Sequence, residues 1–303
     1  MLIALSVLLG LYATAAQTDA VALHVSHRAR AMSPGEVVLV TVRPRVPVHD
    51  VEGRWFDETI RFYKETGGLW QGLAPIDLGV RAGRYTLALT AHTDEGVTLA
   101  RNYTIAITAR VFPVRRLTVA PDFANPPPDA IERIQREQAT VESIFDTRSE
   151  ERLWSAPFTV PVPGEATSSF GRRSIVNGEP RSPHSGTDFQ AATGTIVRAP
   201  NRGRVVLATD LYFAGETVIV DHGDGLYSYF AHLSAIDVRE GDVVNRGDRI
   251  GLSGATGRVT GPHLHWSMRF GRARVDPLSL VSVLEAEKGG AKPPSAGPKR
   301  SKK

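Results

Sequence analysis

Histidine and aspartate residues in the C-terminal half of the chain have the types and spacings of a metal site. Five of the nine histidines lie between His184 and His265. His184 and Asp188 are four residues apart, and Gly186 between them would permit a bend that brings an imidazole and a carboxylate to one point. An imidazole from the segment His263-Leu264-His265 would complete a set of nitrogen and oxygen ligands that suits zinc and leaves a fourth position for water. The spacing therefore predicts an open, catalytic metal site.

His263 and His265 lie in a segment whose pattern predicts a β-strand. In the segment that runs from His263 to Phe270, strict alternation places His263 and His265 on one face of a strand and Leu264 and Trp266 on the other. We expect the apolar face to lie in the core and to hold both imidazoles on a rigid surface.

The remaining histidines carry weaker signals. His232 ends an alternating segment in which it shares a face with Ser228 and Phe230, and a lone histidine at a strand end is more often structural than catalytic. His222 falls in a turn sequence, DHGDG, and is interpreted as structural. The histidines of the N-terminal region have no partner pattern and are interpreted in the same way. They are His24, His27, His49 and His92.

Alternating runs separated by turn signals predict a mainly β chain, and its 303 residues are enough for two modest domains. Residues 20–118 have short strands at the spacing of an Ig-like β-sandwich. Residues 119–156 contain an amphipathic segment that predicts a helix in a linker between domains. Residues 157–285 are rich in glycine and in strand-forming residues, and they hold the candidate site.

Both ends of the chain differ from the rest in composition. Residues 1–19 are apolar and finish in small residues, which predicts a secretory signal peptide and an exported protein of the periplasm or cell envelope, tethered to the membrane if the segment is retained. Residues 286–303 form a predicted disordered tail with six basic side chains from Lys288 onward. Because this tail accounts for the net charge of +4, we expect no nucleic-acid partner. The absence of cysteine excludes thiolate chemistry.

Several short motifs occur in one order along the region from about Thr167 to Leu280. They are Phe170-Gly171, His184-x-Gly186-x-Asp188, Gly194-Thr195, Tyr229-x-Ala231-His232-Leu233, the segment from Gly254 to His265, and Asp276-Pro277. With these motifs the region resembles the lysostaphin-like or LytM-like catalytic domain of peptidase family M23. The resemblance implies a C-terminal catalytic domain built on an antiparallel β-sheet.

The resemblance also implies roles for five side chains. His184, Asp188 and His265 would bind one Zn²⁺ per chain, while His232 and His263 would be the catalytic histidines beside the metal. The implied activity is a zinc-dependent endopeptidase that hydrolyses peptide cross-links of bacterial peptidoglycan, with zinc-activated water as the nucleophile. The two imidazoles would transfer protons or stabilise the oxyanion, and the pattern does not divide these tasks between them.

Two other classes of protein share part of this pattern. A catalytically silent LytM-like activator of another cell-wall hydrolase would have the same fold, but such proteins typically lack one or more ligands, and all three are present here. A lipoyl-type carrier is suggested by the segment from Gly241 to Asp248, which has no lysine at its tip. We expect a monomer whose N-terminal domain positions the catalytic domain, recruits an envelope protein partner, or covers the catalytic groove until it is displaced.

Overall fold

A computed structural model of the chain describes residues 22–118, 126–168 and 170–285. The predicted signal peptide and the predicted basic tail lie outside these residues. Strands dominate the described part, which confirms the mainly β fold class. None of the helices in these three ranges is both long enough and apolar enough to cross a membrane.

The chain divides into two compact units, and each is formed by three separate stretches of the sequence. Within the described residues, the first unit comprises 22–27, Leu39–Ala74 and Arg84–Ala106. The second comprises Arg28–Val38, Pro75–Gly83 and 107–285. This division differs from the predicted contiguous domains, because two short stretches from the N-terminal half belong to the second unit. The predicted boundaries at 118 and 157 stay a sequence-based prediction.

The first unit contains two four-stranded sheets, one in the order β1-β2-β6-β5 and the other in the order β4-β3-β7-β8. The strands are β1 (Leu23–Arg28), β2 (Val37–Pro44), β3 (Asp50–Trp55), β4 (Glu58–Arg61), β5 (Tyr63–Lys64), β6 (Trp70–Pro75), β7 (Gly83–His92) and β8 (Thr98–Ile107). Leu87, Leu89 and Ala91 of β7 are buried and alternate with more exposed residues. The two sheets that a β-sandwich requires are therefore present, and the Ig-like detail stays a prediction.

The second unit is built on a ten-stranded sheet whose main path runs β10-β13-β20-β17-β16-β15-β18. A separate three-stranded sheet has the order β12-β11-β9, in which β9 and β11 are parallel. The strands are β9 (Val114–Leu117), β10 (Ala166–Ser168), β11 (Arg173–Val176), β12 (Glu179–Pro180), β13 (Gly186–Phe189), β14 (Ile196–Arg198), β15 (Gly203–Leu211), β16 (Gly215–Gly223), β17 (Leu226–Ile236), β18 (Val243–Val244), β19 (Arg249–Ser253), β20 (Leu264–Phe270) and β21 (Ala273–Val275); the helices are α1 (Pro128–Asp146) and α2 (Pro277–Glu285).

Helix α1 is part of the core of the second unit. Phe145 near its C-terminus is buried in one cluster with Leu207 and Tyr227 of the large sheet. Its Glu137 carboxylate accepts a hydrogen bond of 2.8 Å from the backbone N–H of Tyr212, next to the end of β15. The helix predicted within the linker is thus present, and it packs on the sheet that carries the candidate site.

A buried polar network lies beneath β20. His222 Nδ1 donates a hydrogen bond of 2.8 Å to the carbonyl oxygen of Arg202, and His222 Nε2 accepts one of 2.8 Å from the Ser228 hydroxyl. The indole N–H of Trp266 reaches the same hydroxyl oxygen at 3.3 Å. Burial lowers the pKa of His222 to about 4, so the ring is neutral at pH 7. His222 therefore supports the strand that carries His265 from the core side.

Candidate metal centre

Adjacent strands hold two of the predicted ligands side by side. Asp188 in β13 pairs with His265 in β20 in the antiparallel register, so both side chains lie on one face. His265 Nδ1 is 3.0 Å from Asp188 Oδ1. A Cβ atom at Gly186 would lie 2.7 Å from the His265 ring and from the Trp266 carbonyl oxygen. Gly186 thus lies within β13 and leaves room for the His265 ring. The expected role of this glycine, to permit a bend between His184 and Asp188, was wrong.

His184 reaches the same point from the loop that precedes β13. Backbone hydrogen bonds fix this loop, from His184 N to the Arg172 carbonyl at 2.9 Å and from Gly171 N to the His184 carbonyl at 2.8 Å. His184 Nε2 is then 3.1 Å from Asp188 Oδ1 and 3.0 Å from His265 Nδ1. The structure therefore brings His184 and Asp188 together with His265, one of the two imidazoles between which the spacing did not choose.

The three converging atoms fit a zinc ion. Two imidazole nitrogens and one carboxylate oxygen form a triangle with edges of 3.0 to 3.1 Å. Ligand atoms around a tetrahedral zinc with bonds near 2 Å lie about 3.3 Å apart. Within the described ranges, this is the group of His, Asp and Glu side chains that is close enough to hold a metal ion.

The protonation states in the site also favour metal binding. Burial alone would raise the pKa of Asp188, but the hydrogen bonds of His184 and His265, and the charge that these rings carry when protonated, hold that pKa below its ordinary value. Burial lowers the pKa of His265, which favours the neutral ring. An ionised carboxylate and neutral imidazoles are the forms that bind zinc.

Both predicted catalytic histidines are held in the same tautomer. His232 Nδ1 lies 3.0 Å from the Thr256 carbonyl oxygen, and His263 Nδ1 lies 2.8 Å from the Gly261 carbonyl oxygen. A carbonyl only accepts hydrogen bonds, so each Nδ1 carries a proton, and either ring in its neutral form has its lone pair at Nε2. The ring centroids of the two histidines are 4.9 Å apart. His263 Nε2 is 3.7 Å from Asp188 Oδ1, so this nitrogen is directed towards the ligand cluster.

His232 lies on the opposite side of β17 from the one that alternation predicts. The pattern places it with buried Ser228 and Phe230, yet it lines the cleft together with Tyr229 and Ala231. The expectation was wrong because His232 has a φ of 64°, in the left-handed region, and the register of β17 shifts nearby. Burial, with the neighbouring His265 and His263, lowers the pKa of His232 to about 4. The ring is therefore a neutral base at pH 7.

The three candidate ligands and the two neighbouring histidines lie in a cleft of about 640 Å³. Val141 and Phe145 of α1 line it, and so does Leu117 of β9. All three lie before the region that contains the family motifs, so the sequence did not identify them as residues of the site. A helix from the predicted linker and a strand from the end of the predicted sandwich domain therefore help to form the cleft.

A second network supports Asp188 from behind, and sequence reasoning missed most of it. The Thr187 hydroxyl donates to Asp276 Oδ1 at 3.2 Å, and Arg30 Nη2 lies 2.6 Å from Asp276 Oδ2. Arg30 also pairs at 2.7 Å with the buried Glu36. Asp276 belongs to a family motif, whereas Arg30 and Glu36 are about 150 residues upstream of Asp188 and only the fold brings them near.

Comparison with known proteins agrees with this geometry. The sequence model of Peptidase family M23 matches residues 182–277, which include all five predicted site residues. A crystal structure from Pseudomonas aeruginosa, described as a candidate peptidase M23, has a TM-score of 0.65 and 30% sequence identity, and the match covers 84% of this chain and 97% of that one. The chain belongs to peptidase family M23. The motif resemblance is thereby confirmed for this M23 chain, while the individual roles of its site residues stay a prediction.

Curated relatives of this M23 chain include enzymes of the bacterial cell wall. Peptidoglycan DD-endopeptidase ShyA of Vibrio cholerae is 48% identical over 87 residues, which are 29% of this chain and 20% of the relative. DD-carboxypeptidase/endopeptidase Mpg of Neisseria meningitidis serogroup B is 40% identical over 98 residues, which are 32% of this chain and 23% of the relative. The matches thus span about a fifth of the length of these relatives.

Proposed function

We propose that this M23 chain is a zinc-dependent endopeptidase that hydrolyses peptide cross-links of bacterial peptidoglycan. The observation that carries the proposal is the triangle of His184 Nε2, Asp188 Oδ1 and His265 Nδ1, beside which two further imidazoles each keep Nε2 available. The relatives named as peptidoglycan endopeptidases support the choice of substrate. Export to the periplasm or cell envelope remains part of this proposal.

The five site residues have two proposed roles, which are metal binding and proton transfer. His184, Asp188 and His265 would hold one zinc ion. Zinc at such a site is a Lewis acid that polarises a carbonyl group and lowers the pKa of water. The neutral His232 can accept a proton at Nε2 from the attacking water, and an imidazolium at His232 or His263 can return a proton to the leaving amine.

The cleft geometry supports this assignment. The two non-ligand histidines lie next to each other, with ring centroids 4.9 Å apart, and the ring centroids of His232 and His265 are 6.1 Å apart. Their Nδ1 contacts to backbone carbonyls prevent rotation of the rings, so that both Nε2 atoms are oriented before the substrate binds.

Hydrolysis of purified peptidoglycan by the full chain, with mass spectrometry of the released peptides, tests the proposal. His263→Ala is expected to lower the rate at least about 100-fold, since a positioned acid or base contributes a factor of that order. His24→Ala is the matched control, because His24 is an exposed histidine of the first unit. A folded, zinc-loaded parent that releases no peptide would contradict the endopeptidase and favour the activator of another hydrolase.

A further inference from the structure

Two contacts from other parts of the second unit hold His232 in place. Its backbone N–H donates a hydrogen bond of 2.8 Å to the Ala214 carbonyl oxygen, and its ring Nδ1 donates one of 3.0 Å to the Thr256 carbonyl oxygen. The φ of 64° is a left-handed conformation, which costs free energy in any residue with a Cβ and persists only where the surrounding structure requires it. Whatever fixes Ala214 and Thr256 therefore also fixes the imidazole beside the metal centre.

Both acceptors belong to one packed region. The first lies in the turn of residues 212–214, which connects β15 to β16. The residue that follows the turn, Gly215, lies so close to Thr256 that a Cβ atom there would collide with the Thr256 side chain and backbone. Thr256 Oγ1 also accepts a hydrogen bond of 2.9 Å from the backbone N–H of Glu216. The two contacts of His232 therefore depend on the position of the turn.

Helix α1 holds this turn through Glu137. Its Oε2 atom accepts a hydrogen bond of 2.8 Å from the backbone N–H of Tyr212, the first residue of the turn. Its Oε1 atom accepts one of 2.5 Å from Arg133 Nε, one helical turn earlier. Arg133 also pairs at 2.9 Å with Asp210, near the end of β15. The carboxylate is thus fixed at both oxygens, and it joins the helix to the turn.

The bond between Glu137 and the turn is of a strong kind. A backbone N–H that donates to a carboxylate forms a charge-assisted hydrogen bond, which is roughly twice as strong as a bond between neutral groups. The carboxylate is partly buried, with 19% of the side chain exposed, so water screens the interaction only in part. The helix that supplies it precedes the region that contains the family motifs.

We propose that Glu137 is a positioning residue, which fixes the backbone and the ring of His232 through the turn of residues 212–214. The proposal rests on the endopeptidase function proposed above. The hydrogen bonds of Glu137 go to Arg133 and Tyr212, so its loss should leave the three candidate ligands in place. A displaced turn would allow the His232 ring to leave the orientation in which Nε2 can accept a proton. The loss should therefore lower kcat and leave KM almost unchanged.

The kinetic test uses the full, zinc-loaded chain with a purified cross-linked peptide of peptidoglycan. Glu137→Ala removes the acceptor for the Tyr212 N–H, whereas Glu137→Gln keeps a carbonyl oxygen that can accept the same bond. Glu132→Gln is the matched control, because Glu132 is an exposed residue of the same helix whose carboxylate pairs within the helix. The values of kcat, KM and zinc content are measured for the parent and the three variants.

The second measurement follows His232 directly and needs no substrate. In a chain labelled with 15N-histidine, the hydrogen exchange rate of the His232 backbone amide reports its bond to Ala214, and its signal is the one that is missing from His232→Ala. The amide of His265 is the internal reference, because His265 lies in β20 between two paired strands. A local loss of positioning raises exchange at His232 alone, whereas a general loss of stability raises it at both residues.

We expect Glu137→Ala to lower kcat about tenfold, with KM changed by less than about twofold, as for the loss of a hydrogen bond to a charged group. Its zinc content should equal that of the parent. Its His232 amide should exchange about tenfold faster, while the His265 amide is unchanged. Glu137→Gln should keep at least about a third of the parent's kcat, and Glu132→Gln should match the parent.

Three results would overturn the positioning role. They are a kcat for Glu137→Ala equal to that of the parent, an equal loss of kcat in Glu137→Gln, and exchange that rises equally at His232 and His265. Failure of the zinc-loaded parent to cleave the peptide would instead refute the endopeptidase function. In that case the exchange rate at His232 would still decide whether Glu137 fixes this residue.

Discussion

Acid should destabilise the second unit through His222, the histidine that supports β20 from the core. Burial lowers its pKa from 6.5 to about 4 in the folded chain. A folded pKa below the unfolded one means that the stabilisation is present above pH 6.5 and is lost as the pH falls towards 4. At about 1.4 kcal/mol per unit of pKa, the whole effect is about 3 kcal/mol, and about 2 kcal/mol of it is lost between pH 7 and pH 5.

The assay is urea denaturation at pH 7 and pH 5, followed by tryptophan fluorescence, for the parent and for His222→Gln. A glutamine can donate to the Arg202 carbonyl and accept from the Ser228 hydroxyl, but it does not titrate. The variant should therefore lose about 2 kcal/mol less than the parent on acidification, while His24→Gln, changed at an exposed position, should match the parent. An equal pH dependence in His222→Gln and the parent would refute the reasoning.

Three further perturbations test the support of the metal centre. Gly186→Ala should weaken zinc binding at least tenfold in a chelator competition, since its Cβ would lie 2.7 Å from the His265 ring; unchanged affinity would contradict the tight packing. Asp276→Asn removes the negative charge that Arg30 pairs with next to Thr187. It should lower the zinc affinity, and it should lower the free energy of unfolding by about 1 to 3 kcal/mol. A melting curve identical to that of the parent would argue against the network. Removal of zinc with a chelator should abolish hydrolysis and lower the melting temperature, and zinc should restore both; full activity without metal would refute the site.

Local periodicity predicted part of the candidate metal centre, while the family resemblance supplied the roles of its residues, and those roles stay a prediction. Alternation along β20 predicted that His265 would face the site while Leu264 and Trp266 pack in the core, and both are buried. Antiparallel pairing then placed Asp188 opposite His265. The motif order supplied the remaining assignments, which periodicity alone left open.

Features that depend on a single backbone angle or on distant stretches of sequence could not be predicted. The left-handed φ of 64° at His232 reverses the face on which it lies, and nothing in the alternating pattern around it indicates that conformation. The role of Gly186 depends on the ring that packs over it from another strand. Arg30 supports Asp276 across 246 residues, so only the tertiary fold connects them.

The second unit contains stretches from the N-terminal half of the chain, so the first unit cannot be removed by a simple N-terminal truncation. Arg28–Val38 and Pro75–Gly83 belong to the second unit. A truncated protein that starts near residue 157 would lose Arg30, Glu36 and the whole of α1, which lines the cleft. Loss of activity in such a protein would therefore say nothing about inhibition or positioning by the first unit.

The most direct test measures zinc content and peptidoglycan hydrolysis on the same preparations of the parent, His265→Ala and His232→Ala. His265 is expected to bind the metal and His232 to act beside it, so the two variants should separate binding from chemistry. We predict one zinc per parent chain, loss of both zinc and hydrolysis in His265→Ala, and retained zinc with hydrolysis lowered at least about 100-fold in His232→Ala. Full hydrolysis by His232→Ala, or zinc and hydrolysis both retained by His265→Ala, would contradict the assignment.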